Sequence, residues 1–125
     1  MKVLIKHFNA ENNTVAFSLE YGRSSAYWEG SIPECNKYYD VEFEIPELLI
    51  WNKDIKEEKS TSFNIKGGED TSYIVGRLES SSEDGCCIVK IGDGVVFLET
   101  EGNPFKNGTY ISFSSKGLTL CETEL

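Results

Sequence analysis

The chain has 125 residues, which fits one domain with an ordinary hydrophobic core, so we expect residues 1–125 to form a single unit. Its 21 aspartates and glutamates against 12 lysines and arginines give a formal net charge of −9. Such a charge repels phosphate backbones and anionic membranes and attracts basic proteins, although it also favours solubility by itself. We therefore expect neither nucleic acid nor a membrane as a partner.

The amino-terminal part of the chain predicts a β-hairpin. Val3 to Phe8 is a short apolar run, and after an asparagine-rich turn the residues from 15 to 21 alternate between apolar and polar side chains. Two such runs joined by a turn are typical of paired antiparallel strands. Gly22 to Ser25 breaks the alternation, and residues 30–36 are expected to form a loop.

The stretch from Tyr38 to Ile45 predicts a strand with one acidic face. Apolar and acidic residues alternate strictly here, with Asp40, Glu42 and Glu44 at every second position. Because a strand sends successive side chains to opposite faces, these three carboxylates share one face at a spacing of about 6.6 Å. We expect this acidic stripe, Asp40, Glu42 and Glu44, to be exposed to water or to a cationic partner.

Residues 46–58 leave two structures open. Apolar residues have helical spacing after Pro46, whereas the sequence LLIW equally fits a buried strand that follows a proline-marked bulge. We favour the strand, and any helix in the protein is expected to be short and to lie in this segment. The polar residues 59–71 are expected to form a loop around a short strand at 63–65.

The carboxy-terminal half predicts five further short strands. They are expected at residues 73–78, 86–91, 95–100, 109–113 and 118–121. The connections between them contain the glycine or asparagine that tight turns require, and the sequence indicates no long helix. We therefore predict an all-β protein with a single antiparallel β-barrel, either OB-like or a small Greek-key or meander barrel, with at most one short helix.

Six segments with strand and turn character follow one another along most of residues 28–122. They are Trp28-x-Gly30, YDVEFEI, LLIW, VGRLES, EDGCCIVKIGDGVVFLETEG and NGTYISFSSKGLTL. In this order they resemble a group of small bacterial proteins of unknown function that contain an OB-like β-barrel. The resemblance implies a barrel rather than a sandwich, and it implies no functional residue.

The cysteines favour a reduced, cytoplasmic protein. Cys35, Cys86, Cys87 and Cys121 lack the C-x-x-C spacing of zinc and redox sites, so no metal site is expected. Adjacent residues of a strand face opposite sides, and we therefore expect Cys86 and Cys87 to form no disulfide with each other and one of them to be buried. The amino terminus lacks the continuous apolar segment of a signal peptide.

The sequence contains no recognisable catalytic set. The single histidine, His7, lies near the end of the first predicted strand, where a structural role is more common than that of a base. There is no G-x-S-x-G motif and no phosphate loop, and nothing near the acidic stripe indicates the sugar-binding cleft of a glycosidase. We therefore expect no enzymatic activity and no cofactor.

Aromatic residues supply the remaining functional candidates. Tyr27 and Trp28 precede the acidic stripe in sequence, and aromatic anchors beside an acidic rim are typical of protein-binding surfaces, although aromatic side chains equally cap barrel ends. We expect a non-enzymatic protein-binding module in which Tyr27, Trp28 and the acidic stripe contact a basic partner, as an immunity protein contacts a basic toxin. A nucleic-acid-binding OB module and a small enzyme are the alternatives, and the oligomeric state stays open.

Overall fold

The protein is all-β. In the computed structural model, which describes residues 1–68 and 70–123, eleven strands occur and no helix. The described residues accordingly contain no helix with the length and hydropathy needed to cross a lipid bilayer. The strands are β1 (Lys2–Asn9), β2 (Thr14–Leu19), β3 (Gly22–Glu29), β4 (Lys37–Ile50), β5 (Lys56–Glu57), β6 (Asn64–Gly67), β7 (Ser72–Ser81), β8 (Cys86–Ile91), β9 (Gly94–Glu101), β10 (Tyr110–Ser115) and β11 (Thr119–Glu122).

The strands close into a barrel, as the sequence predicts. Hydrogen-bonded neighbours form a ring of eight strands in the order β1, β2, β3, β6, β7, β8, β9 and β4, and β4 returns to β1. The purely antiparallel form of the prediction is wrong, because β3 pairs with β6, and β4 with β9, in parallel. Parallel neighbours are joined through long connections, and the pattern of a single strand does not reveal which strand it meets across them.

β3 is a strand that the sequence pattern did not indicate. The interruption predicted at Gly22 to Ser25 is absent, and the chain is extended from Gly22 to Glu29. Gly22 has a φ of 142°, and a Cβ at this position would clash with the carbonyl oxygen of Ile65 in β6. Gly22 therefore does not interrupt a strand. Its lack of a side chain allows β3 and β6 to approach each other closely.

β4 continues through Pro46, and it settles the segment that the sequence left open. Residues 46–50 belong to the strand, and no helix forms between residues 46 and 58. The pairing of β4 with β9 shifts register between Glu44 and Leu48, so the strand bulges around the proline. Proline cannot donate to a strand ladder, which explains why the bulge lies there.

Alternate residues of the strands fill the barrel interior. Among them, the buried Phe17 and Phe43 pack edge to face, with ring centroids 5.9 Å apart. The indole of the buried Trp51 donates a hydrogen bond to Thr100 Oγ1 at 3.0 Å, and Thr100 in turn donates to the carbonyl oxygen of Gly85 at 2.8 Å. These polar atoms therefore have partners inside the core.

The vicinal cysteines occupy opposite faces of β8. Cys87 is buried and Cys86 is exposed, which confirms that one thiol of the pair lies in the core. Both are free thiols. One is buried and the other exposed because side chains alternate between the two faces of the strand.

β11 lies between β3 and β4 and is held in place by Glu47. It runs parallel to β3 and antiparallel to β4. In the turn that leads into β11, Glu47 Oε1 accepts a hydrogen bond from Ser115 Oγ at 2.7 Å, and Oε2 accepts from the N–H groups of Lys116 at 2.6 Å and Gly117 at 3.1 Å. Partial burial opposes ionisation of Glu47, but these hydrogen bonds outweigh it and lower the pKa of the carboxyl group.

Candidate functional site

The acidic stripe lies on the outer face of β4. Asp40, Glu42 and Glu44 are exposed, while the alternate residues from Val41 to Ile45 are buried in the core. The alternation predicted for this strand is therefore present. Because the apolar side chains anchor the strand in the barrel wall, the three carboxylates project from a rigid backbone rather than from a loop.

Pairing with β11 brings a fourth carboxylate and a thiol beside the stripe. Cys121 of β11 lies opposite Glu42 of β4 on one side and opposite Glu29 of β3 on the other. These three residues therefore form one row across three strands of the outer face. Sequence reasoning missed Glu29 and Cys121, because their proximity depends on the parallel pairing of strands that are far apart in the chain.

Cys121 is a hydrogen-bond donor between two carboxylates. Its Sγ lies 3.6 Å from Glu29 Oε2 and 3.6 Å from Glu44 Oε2, so the single thiol proton can be donated to either oxygen. Burial, followed by the charges of Glu29 and Glu44, raises the pKa of Cys121 to about 12. The thiol is therefore protonated at neutral pH and is a poor nucleophile.

In the described part of the chain, the cluster of Glu29, Glu44 and Cys121 is the one whose geometry could hold a metal ion. One ligand atom from each of Glu29, Glu44 and Cys121 lies within 4.8 Å of the others. A bound cation would have to displace the proton that Cys121 donates to the carboxylates. Exposed acidic groups are common without metals, and we assign no metal to this cluster.

The negative charge of this surface is not neutralised by ion pairs. Two ion pairs occur among residues 1–68 and 70–123: Lys37 pairs with Glu34, and Arg77 pairs with Glu79. Neither pair involves a residue of the acidic stripe or Glu29. Lys2 lies opposite Asp40 in the β1–β4 ladder without forming an ion pair. The outer face of β3, β11 and β4 therefore presents four carboxylates to the solvent.

The two aromatic residues predicted to accompany the stripe point in opposite directions. Tyr27 is on the outer face and is 48% exposed. Trp28 is buried, with its ring edge to face against Tyr39 at 5.4 Å and its Nε1 donating to the carbonyl oxygen of Ser31 at 2.7 Å. The expectation that Trp28 contacts a partner is therefore wrong, because neighbouring strand residues cannot both face outward.

β9 contributes two exposed apolar residues that sequence reasoning missed. Phe97 is 65% exposed and Val95 is 45% exposed. Phe97 lies directly opposite Glu44 in the parallel β4–β9 ladder. A signal for this exists in the sequence, since four consecutive apolar residues in one strand, VVFL from Val95 to Leu98, must place two of them on the outside.

Other polar residues considered from the sequence have local roles. His7 is exposed on β1 opposite Ala16. Asp84 accepts hydrogen bonds from Ser82 Oγ and from the N–H of Cys86, which stabilise the turn between β7 and β8 and lower the pKa of Asp84. Neither residue lies in the row formed by Glu29, Cys121 and Glu42.

An open depression of about 420 Å³ adjoins the surface at Tyr27. Most of its lining carries hydroxyl or amide groups, among them Asn12, Thr14 and Thr71. The hydroxyl group of Ser72, which also lines the depression, is hydrogen-bonded to that of Ser24 at 2.6 Å. The depression is therefore polar and lies at the edge of the acidic surface.

Comparison of the chain with protein-family models, with curated proteins and with solved structures found no match.

Proposed function

We propose that this protein is a non-enzymatic binding module whose acidic surface engages a basic protein partner. The observation that supports this most strongly is the position of the acidic stripe and Glu29 on one exposed wall of the barrel, without an ion pair to a cation of the described residues. Like charges held close together on a rigid surface repel one another. A cationic partner relieves that repulsion, and the chain's net charge of −9 speeds the encounter.

An immunity-type role is the specific form of this proposal. The active site of a nuclease is positively charged because it binds phosphate groups, and a surface of closely spaced carboxylates complements such a site. Attachment of the carboxylates to strands means that little backbone freedom is lost on binding. The same carboxylates repel a nucleic acid backbone, which makes the alternative of a nucleic-acid-binding module less favourable.

The cellular setting is part of the proposal. We place the protein in the cytoplasm, where thiols stay reduced, because Cys35, Cys86, Cys87 and Cys121 are all free. From the resemblance to small bacterial proteins with OB-like barrels, we also infer that the barrel is OB-like and that the protein is bacterial. Neither assignment changes the test of the binding surface.

The test begins with an affinity pull-down from the native host, which identifies the partner. The variant Asp40→Asn, Glu42→Gln, Glu44→Gln then removes three charges from the acidic stripe. Since exposed substitutions usually change stability by less than about 0.5 kcal/mol each, the variant is expected to fold. We expect association at low salt to slow by roughly tenfold or more and to lose most of its salt dependence, since charges at an interface act mainly on the rate of encounter.

A matched control removes the same charge from other surfaces. Glu11, Glu20 and Glu57 are exposed and lie outside β3, β11 and β4, and their joint replacement by glutamine lowers the net negative charge equally. Association rates measured by stopped flow or surface plasmon resonance should fall much less in this control. Equal rates and salt slopes in the two triple variants would show that only overall charge matters and that the acidic stripe is not the site.

A further inference from the structure

An exposed aromatic ring lies directly beside a carboxylate on the outer wall of the barrel. Phe97 of β9 is 65% exposed and pairs with Glu44 of β4, which is also exposed. Paired residues of adjacent strands point to the same face, and their backbones are about 4.8 Å apart. The ring of Phe97 and the carboxylate of Glu44 are therefore available to one and the same ligand group.

A second aromatic ring lies on the far side of the same carboxylate. The residues Tyr27, Thr119, Glu44 and Phe97 are successive partners across β3, β11, β4 and β9. Three strand spacings separate the two aromatic residues, which corresponds to about 14 Å. On the other side of Phe97, the half-buried Ile88 of β8 continues the row.

We infer, on the basis of the proposed function, that the partner presents arginine rather than lysine to this surface, with a guanidinium group paired to Glu44 and stacked on Phe97. The guanidinium group is planar, weakly hydrated and able to donate two parallel hydrogen bonds to a carboxylate, and its face stacks on aromatic rings. The ammonium group of lysine is a strongly hydrated point charge that gains less from an adjacent ring. A carboxylate and an aromatic ring side by side therefore select arginine.

The occupant of this surface is a cationic segment of another protein. A second copy of the chain would bring Glu44 and the neighbouring carboxylates against the same carboxylates, and like charges across an interface disfavour association. An anionic lipid surface or a nucleic acid would be repelled for the same reason. Charge complementarity combined with the exposed ring of Phe97 leaves an arginine-bearing protein segment as the ligand.

Two synthetic peptides of equal charge, hexa-arginine and hexa-lysine, test the inference without knowledge of the natural partner. Binding to the intact protein is measured by titration calorimetry at low salt. We expect the wild type to bind hexa-arginine about five- to tenfold more tightly than hexa-lysine, since stacking and bidentate pairing add to the common Coulomb attraction.

Three single variants assign the preference to the ring. Phe97→Leu keeps an apolar side chain but removes the aromatic face, and the ratio of the two affinities should fall to about one. Phe97→Tyr keeps the face and should keep the preference. Tyr73→Leu removes an aromatic residue that is 36% exposed on β7, outside this row, and should leave the ratio unchanged.

The outcomes separate this inference from the proposed function. If both peptides bind the wild type with equal, salt-sensitive affinity, or if Phe97→Leu keeps the preference for arginine, the inference is wrong while cation binding by the acidic surface stands. If neither peptide binds the wild type better than it binds the triple variant of the acidic stripe, the proposed function itself is wrong.

Discussion

Glu47 offers a direct test of how the turn before β11 is held. The substitution Glu47→Gln preserves the size of the side chain but removes its charge and replaces one acceptor oxygen by an amide group. In the wild type, Oε2 accepts from the N–H groups of Lys116 and Gly117, and Oε1 accepts from Ser115 Oγ. The variant can keep one of these acceptor positions but not both.

The expected cost follows from these contacts. Hydrogen bonds to a charged group contribute about 1.5–3 kcal/mol when well shielded, but Glu47 is only half-buried, so solvent screening reduces this value. We expect the free energy of unfolding to fall by about 1–2 kcal/mol at pH 7. With a urea dependence of about 2 kcal/mol per molar, the unfolding midpoint should move down by about 0.5–1 M.

The pH dependence provides a sharper readout than the midpoint alone. The pKa of Glu47 is lowered in the folded protein, so its stabilising effect is fully present above the unfolded value of about 4.3 and is lost as the pH falls through the folded pKa. The difference in stability between wild type and Glu47→Gln should therefore be greatest near neutral pH and shrink in acid. Urea titrations followed by tryptophan fluorescence at several pH values measure it.

Glu57→Gln is the matched control for this experiment. Glu57 is exposed in β5 and its carboxylate accepts no hydrogen bond from the described residues, so its replacement should change stability by less than about 0.5 kcal/mol. The reasoning would be refuted if the two variants were equally stable, or if the deficit of Glu47→Gln stayed constant from neutral pH into acid.

Two further predictions concern the thiol of the candidate site and the core. Cys121 should be alkylated by iodoacetamide at pH 8 roughly tenfold or more slowly than the exposed Cys35, because burial and the charges of Glu29 and Glu44 raise its pKa to about 12 and leave little thiolate. Mass spectrometry of the labelled peptides measures both rates. Replacing Glu29 and Glu44 by glutamine should narrow the difference but not abolish it, because the burial of Cys121 remains. Equal rates in the wild type would contradict the assignment. In the core, Thr100→Val should lower the free energy of unfolding by about 1–3 kcal/mol, because the indole N–H of Trp51 loses its partner, whereas the carbonyl oxygen of Gly85 still accepts from the backbone N–H of residue 100. An unchanged urea midpoint would show that the indole N–H finds another partner.

The sequence by itself determined the local structure of the candidate surface. The alternation in β4 places Asp40, Glu42 and Glu44 on one face, because the backbone of an extended strand turns successive side chains to opposite sides regardless of its neighbours. The same rule turns Tyr27 and Trp28 to opposite faces, but this became evident only from the structure, because the sequence pattern did not indicate the strand β3 that contains them. The all-β class and the barrel also followed from short runs and turn residues.

Only the tertiary structure decided which residues surround the stripe. Glu29, Cys121 and Phe97 meet it through the insertion of β11 between β3 and β4 and through the parallel pairing of β4 with β9. Such pairings join strands separated by long stretches of chain, and they are selected by the combined burial of many apolar side chains in one barrel. Side-chain alternation is a property of the local backbone, whereas the choice of neighbouring strands is a property of the whole core. The stripe could therefore be predicted from the sequence, and the thiol and the aromatic ring beside it could not.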